Sequence, residues 1–367
     1  MSRLLGTLAA LVGLGRESAL PRVLTYTVTF RCNARCVMCD SWRIERQDEL
    51  TLDEVDRVLA QLPRLDAVRL TGGEPFVRKD MLELAALVER HLAPRMLHVT
   101  TNGFLTERIV EFAERRARAT PLHVLVSVDG LEEKHDEVRA VPKAWERALA
   151  TLEALAPRRE ELNLRLAVNQ TVLDAEGAAH YRPLRARLAA LGVKNHLVVA
   201  YSESATYAVE RDQDKAPTER GGYATHGQFT QAALRALLDQ AREDLAELPR
   251  AERLAKSFYL RGLRHRLLRE GADPSPRCVA LRAHMRLFPN GDVPTCQFNS
   301  RIVGNLRAAS FAEVWGSAQA TEQRDWVRRC PGCWAECEVL PSAVYTGALA
   351  RHAVSEPRHT LAAATHR

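Results

Sequence analysis

Six short apolar runs, spaced along the first two hundred residues, constrain this chain more than any other feature. They lie at residues 24 to 30 (LTYTVTF), 67 to 71 (AVRLT), 96 to 101 (MLHVTT), 122 to 128 (LHVLVSV), 162 to 168 (LNLRLAV) and 196 to 200 (HLVVA). Each is rich in Val, Leu and Thr and too short for a helix, so each reads as a buried parallel strand. Helix-period stretches separate them, and the one at 52 to 62 opens with Thr51 and Glu54 in capping-box spacing. Six βα units in a row predict an α/β fold, a partial (β/α)6 barrel of TIM type over residues 24 to 201. In such barrels the chemistry sits at the C-terminal ends of the strands.

Those ends are followed by polar and glycine residues. The first strand runs into FRCNARCVMCD (30 to 40), with thiols at Cys32, Cys36 and Cys39. A structural zinc normally takes four Cys or His ligands, and a disulfide would strand one of the three cysteines. An iron-sulfur cluster takes about one thiolate per iron, so three thiols on four irons leave one iron open to a cofactor or substrate. The second strand runs into TGGEP (71 to 75), where Gly72 and Gly73 allow close backbone approach and Glu74 offers an acceptor to an ammonium group. Asn102, Ser127, Asp129 and Asn169, after the next three strands, suit a ribose or a carboxylate.

Cys32, Cys36 and Cys39 match the CxxxCxxC loop, and Gly72, Gly73, Glu74 and Pro75 match the GGEP motif, of a family that this chain resembles, the radical S-adenosylmethionine (SAM) superfamily. The resemblance implies a [4Fe-4S] cluster whose fourth iron is chelated by SAM. It also implies reductive cleavage of SAM to methionine and a 5'-deoxyadenosyl radical that abstracts hydrogen from a C–H bond. The residue before the last cysteine is commonly aromatic in the family and packs near the adenine. Here it is Met38, whose polarizable thioether suits a ring edge. SVDGLEEKHDEVRAV (127 to 141) resembles members with a C-terminal SPASM or twitch extension, although His135 and Asp136 read equally well as an acidic helix start.

Five further cysteines fall in residues 277 to 345. Cys278 and Cys296 flank Asn290 and Gly291, a strong hairpin signal that returns Cys296 toward Cys278. Ser310 and Glu313 then stand in capping-box spacing, followed by CPGC with Cys330 and Cys333, and by Cys337. This arrangement resembles a twitch extension and implies an auxiliary [4Fe-4S] cluster on Cys278, Cys296, Cys330 and Cys333. A four-cysteine zinc ribbon is the alternative. Cys337 is open: it replaces one of the four ligands, caps a partial cluster or is a free buried thiol.

The remainder bounds the partners. There are 52 basic and 46 acidic residues, and the acids are interspersed, with no dense basic block interleaved with aromatics. That argues against nucleic acid. Residues 1 to 23 begin with an amphipathic stretch (Leu4, Leu5, Leu8, Leu11, Val12) too short to span a bilayer, which reads as a packed helix or a peripheral membrane contact. Residues 202 to 276 read as a polar linker followed by helices at 226 to 245 and 251 to 269, which would cover the open side of the barrel. Residues 346 to 367 read as a tail that frays from about residue 352. Cluster-binding thiols belong in a reducing compartment, hence a cytoplasmic enzyme, membrane-associated if the N-terminus anchors.

The expected activity is oxidation at a C–H bond of a small molecule, peptide or lipid, with an electron donor such as flavodoxin or ferredoxin. Only 23 residues precede the first strand, which argues against a fused leader-binding domain, although a separate partner could supply one. A non-catalytic electron carrier is the reading from another class, and it has no need of an open iron.

Overall fold

Strands form where the apolar runs lie, and their ends match to within a few residues. The computed structural model describes residues 18–45, 48–210 and 213–355. β1 (Val23–Thr29), β2 (Ala67–Gly72), β3 (Met96–Thr101), β4 (Leu122–Ser127), β5 (Leu164–Val172) and β6 (Lys194–Val199) pair in parallel, in chain order. Helices such as Leu52–Leu59, Met81–Leu92 and Thr106–Arg115 run between them. Both expected capping boxes, Thr51 with Glu54 and Ser310 with Glu313, close in both directions.

The strands are apolar on one face only. Leu24, Tyr26, Val28, Val68, Leu70, Leu97 and Val99 pack into the main core. The alternate positions are polar, and the register aligns Thr25, Arg69, His98 and His123 in one row across four strands. Burial, with Arg69 and His123 nearby, pushes His98 down to about 3, so this face holds neutral imidazoles beside a guanidinium.

The sheet has a seventh strand that the sequence pattern did not show. β7 (His284–Leu287) pairs in parallel with the free edge of β1, from Val23 opposite His284 to Tyr26 opposite Leu287. An open edge leaves a row of unpaired backbone groups, and β7 satisfies them. The hairpin expected at Asn290 and Gly291 is therefore only a tight turn, with Phe288 N donating to Asp292 O at 2.8 Å and Gly291 at φ 94°. Beyond the turn, β8 (Asp292–Pro294) pairs antiparallel with β9 (Ile302–Asn305) instead of with β7.

Two other expectations change. Residues 202 to 223 are not a linker leaving the barrel. The described residues of this stretch lie along the chain after Cys296, with Thr206 N on Gln297 O at 3.1 Å and Lys215 N on Phe298 O at 2.6 Å. The tail starts later than expected: Ala348–Ser355 is a helix, with His352 Nε2 2.7 Å from Ser257 Oγ. Helices Gln231–Glu243 and Arg250–Leu268 form a second core with Val172, Leu197 and Val199 of β5 and β6 and with Trp334. Gly262 is required there, since a Cβ would stand 1.8 Å from the Trp334 ring. The amphipathic stretch in residues 1–17 and the chain beyond 355 lie outside the described residues. No described helix is long and apolar enough to cross a membrane.

Candidate active site

The three-cysteine loop leaves β1 at the C-terminal end of the sheet and is held by its backbone. Ser41 Oγ donates to Phe30 O at 2.8 Å, while Arg35 N and Val37 N each donate at 3.0 Å to Arg139 O and Val138 O. Cys32, Cys36 and Cys39 are free thiols and half-buried. Amides point at two of the sulfurs, Ala34 N at 3.4 Å from Cys32 Sγ and Ser41 N at 3.5 Å from Cys39 Sγ. Burial, reinforced by the neighbouring thiols, still pushes Cys32 up to about 12 and Cys39 up to about 11. Thiolates in this loop need a cation against them, and a metal centre is what deprotonates a thiol outright.

The TGGEP turn meets this loop at its root. Gly73 N donates to Thr29 O at 2.8 Å and Glu74 N to Arg31 O at 2.9 Å. A Cβ on Gly72 would stand 2.3 Å from Thr29 O, and one on Gly73 would stand 2.4 Å from Arg31 O. The glycines therefore serve a backbone-to-backbone approach that seats the loop. Pro75 opens a buried turn over Pro75–Val77.

Glu74 is 1% exposed and turns toward the strand ends. It accepts from Phe76 N at 3.1 Å, Thr101 Oγ1 at 2.8 Å and Asn102 N at 2.6 Å. Three of about four carboxylate acceptor positions are thus filled by the protein. Asn102 passes the connection on, its Nδ2 donating to Asn33 Oδ1 inside the cysteine loop at 2.7 Å.

Asp129 is also committed to the protein. Its Oδ2 lies 2.7 Å from Arg139 Nε, and its Oδ1 accepts from Thr171 N at 3.1 Å. Burial holds its carboxyl above the usual range, with Arg139 opposing. Arg139 in turn points Nη1 at Cys36 Sγ, 3.5 Å away. Ser127, the last residue of β4, is opposite Asn169, which lies inside β5 because that strand runs on to Val172. Met38 packs on Val138, Leu173 and Ala200. His135 is fully buried and accepts from Asp129 N, and Asp136 accepts from Lys143 N and Trp145 N, so both are structural.

The other five cysteines, far apart in sequence, gather in one small core. Cys278, Cys333 and Cys337 pack with Cys296, Phe298 and Val327, and Cys330 lies close enough to Cys278 for their charges to repel. Burial raises all five thiols. Cys337 has a guanidinium beside it, with Arg286 Nη2 3.1 Å from its Sγ. Arg286 Nε lies 2.7 Å from Glu338, which also receives His284 Nδ1 at 2.9 Å. Burial works against the Glu338 charge, but His284 and Arg286 together hold the carboxyl well below its usual range. Among the described residues no three or more His, Cys, Asp or Glu close on the position of a single metal ion.

The radical SAM superfamily model matches residues 26–166, and that of the iron-sulfur cluster-binding SPASM domain matches residues 278–337. The chain carries a radical SAM domain and a SPASM domain. It is 38% identical over 142 residues to a GTP 3',8-cyclase of Rhodopseudomonas palustris, covering 36% of this chain and 40% of that one. It is 25% identical over 315 residues to an AdoMet-dependent heme synthase of Methanosarcina barkeri, covering 82% and 83%. Among solved structures, Streptococcus suis SuiB bound to S-adenosylmethionine shares the fold at TM-score 0.57 and 18% identity, covering 82% of this chain and 66% of that one. The chain spans about two fifths of the length of the first of these relatives.

A radical SAM domain uses SAM and a [4Fe-4S] cluster, and a SPASM domain binds auxiliary iron-sulfur clusters. The donor sets fit such groups: each gathers free thiols, with a buried arginine against one sulfur. Arg139 lies in the SVDGLEEKHDEVRAV stretch that the sequence singled out, but its contacts with Asp129 and Cys36 were not foreseen, and Arg286 was missed. Also missed was Tyr207, read as linker, whose hydroxyl is bonded to Thr71 and feels the charges of Arg286, Cys39 and Cys337. Tyr207 is thus within reach of the charges of a thiol from each set. No local signal marks Arg286 or Tyr207, because their partners are distant in sequence.

Proposed function

We propose that Cys32, Cys36 and Cys39 hold the SAM-activating cluster and that Cys278, Cys296, Cys330 and Cys333 hold one auxiliary [4Fe-4S] cluster. Met38, the TGGEP turn, Asn102, Ser127, Asp129 and Asn169 then frame the SAM site from the strand ends. The observation that carries this reading is the junction of the cysteine loop with TGGEP, where Gly73 N and Glu74 N bond to the chain that enters the loop. When bound, the clusters and SAM supply a 5'-deoxyadenosyl radical, which takes hydrogen from a substrate C–H bond, and a nearby acceptor for an electron in an oxidation.

The chain's own residues position and insulate. Arg139, fixed by Asp129, sets a positive charge against Cys36, and Arg286, fixed by Glu338, does so against Cys337. Charge and hydrogen bonding at a ligand sulfur such as that of Cys36 set a cluster's potential, whereas at Cys337 the guanidinium meets a thiol beside the four proposed ligands. The substrate then faces the polar side of the sheet and Tyr207. A porphyrin-type substrate is a second reading beside a peptide. One relative aligned over most of its length is a heme synthase, and the row of Arg69, His98 and His123 offers a cation and imidazoles to a carboxylate-bearing ring.

The test is anaerobic reconstitution followed by dithionite. Methionine and 5'-deoxyadenosine should appear with the parent protein and not with Cys36→Ala. Iron without SAM cleavage in the parent protein would remove the reading in favour of an electron carrier.

A further inference from the structure

A cavity of about 690 Å³ opens beside the auxiliary cysteines, and its walls are basic. Arg277, Arg282, Arg328 and Arg329 line it together with Cys278 and Cys330, and no Asp or Glu is among the lining residues. Two of these arginines directly precede the two cysteines in the chain, in the pairs Arg277-Cys278 and Arg329-Cys330. A fifth, Arg220, is paired with Asp273 at 2.7 Å, and Arg328 is paired with Asp325. Cations crowd further inward, since Arg324 is lowered by burial and then by the charge of Arg282. Ser18 and Thr346 complete the rim. Ser18 lies just ahead of β1, so the cavity opens at the N-terminal pole of the sheet, opposite the three-cysteine loop.

We propose that this cavity is the docking surface for an acidic electron-transfer protein, of flavodoxin or ferredoxin type, that exchanges electrons with the auxiliary cluster. The proposal rests on the reading that the C-terminal cysteines hold that cluster. Charge complementarity selects the partner: clefts lined by one sign of charge focus the field and steer an oppositely charged surface. A partner seated here faces a cavity that Cys278 and Cys330 themselves line. Nor does the N-terminal stretch supply the anionic complement, because residues 1 to 17 carry Arg3 and Arg16 against Glu17 alone. The location also separates two traffics, with SAM and substrate at the C-terminal pole of the sheet and the redox partner at the other.

The test uses the reconstituted full chain and a purified acidic flavodoxin, with binding measured by calorimetry at low and high salt. Arg277→Glu, Arg328→Glu and Arg329→Glu, all exposed positions, are combined. The expected result is flavodoxin affinity lower by about tenfold or more, with most of its salt dependence gone. Iron content and dithionite-driven release of 5'-deoxyadenosine should stay at the parent level. The glutamine versions of the same three changes should fall between, which separates loss of charge from damage to the fold. A control reversal at Arg115 and Arg187, neither of which lines the cavity, should leave affinity unchanged. Parent-like binding by the glutamate variant, or equal loss in the control, overturns the proposal. Failure of the parent protein to cleave SAM with dithionite would instead count against the functional reading, whatever the binding result.

Discussion

The two thiol sets solve one problem by opposite routes. Cys32, Cys36 and Cys39 come from a single loop, and short-range amides, the TGGEP turn and Asn102 hold that loop. The auxiliary cysteines come from three separate segments and meet only because β7 joins the main sheet and the chain from 202 to 223 closes over residues 296 to 300. Yet each set places an arginine on one sulfur and fixes that arginine with a buried carboxylate. Asp129 meets Arg139 and the Thr171 amide and is held above the usual range, whereas Glu338 meets Arg286, the His284 imidazole and the Gln297 amide and is held below it. The first set is thus a local device on a finished scaffold. The second is part of the scaffold's own assembly.

The largest expected effect breaks this comparison at its root. Replacing Cys32, Cys36 and Cys39 by Ala should abolish SAM cleavage and remove about half of roughly eight irons, with circular dichroism unchanged. Replacing Cys278, Cys296, Cys330 and Cys333 should remove the other half and also loosen the C-terminal domain, because ligation there joins distant segments. Product formation should stop while some SAM cleavage persists. Equal thermal shifts in the two variants would erase the proposed difference between local and tertiary assembly.

The arginines come next. Arg139→Leu leaves Asp129 buried without its cation and should cost about 3 to 5 kcal/mol in denaturant unfolding. Arg286→Leu leaves Glu338 with His284 and the Gln297 amide, so about 1 to 3 kcal/mol is expected. The reverse order would mean that the His284 contact contributes little.

Glu74→Gln tests the rim. If the remaining acceptor position receives the SAM ammonium, a charged hydrogen bond worth roughly 1.5 to 3 kcal/mol is lost and SAM affinity falls on the order of 10 to 150-fold. Iron should not change. Burial pushes the Glu74 carboxyl up to about 7 from 4.5, so the native state holds this proton more tightly than the unfolded chain does. Its stabilising contribution is complete below about pH 4.5 and is lost as the pH rises through about 7. Glu74→Gln should flatten that slope in pH-dependent unfolding.

Cys337→Ala should have the smallest effect. Four cysteines remain for the auxiliary cluster, so the iron content should hold while the spectrum shifts slightly through the freed Arg286. A loss of iron would make Cys337 a ligand, as Cys36 is proposed to be, and would bring the two sites closer in design.

Sequence alone determined what depends on neighbours along the chain. The six strands, both capping boxes, the cysteine loop and the TGGEP turn are each written within a few consecutive residues, where spacing and side-chain type decide the local conformation. Only the tertiary structure decided the rest. The edge of β1 has no preferred mate in sequence, and β7 reaches it from more than two hundred residues away because unpaired backbone groups must be satisfied. Glu74 and Asp129, read as acceptors for a ligand, turn toward strand ends and Arg139 because a buried carboxylate has to be matched by donors or a cation. Residues 202 to 223 look like a linker by composition, since polar backbone satisfied by a distant segment has the same composition as polar backbone satisfied by water.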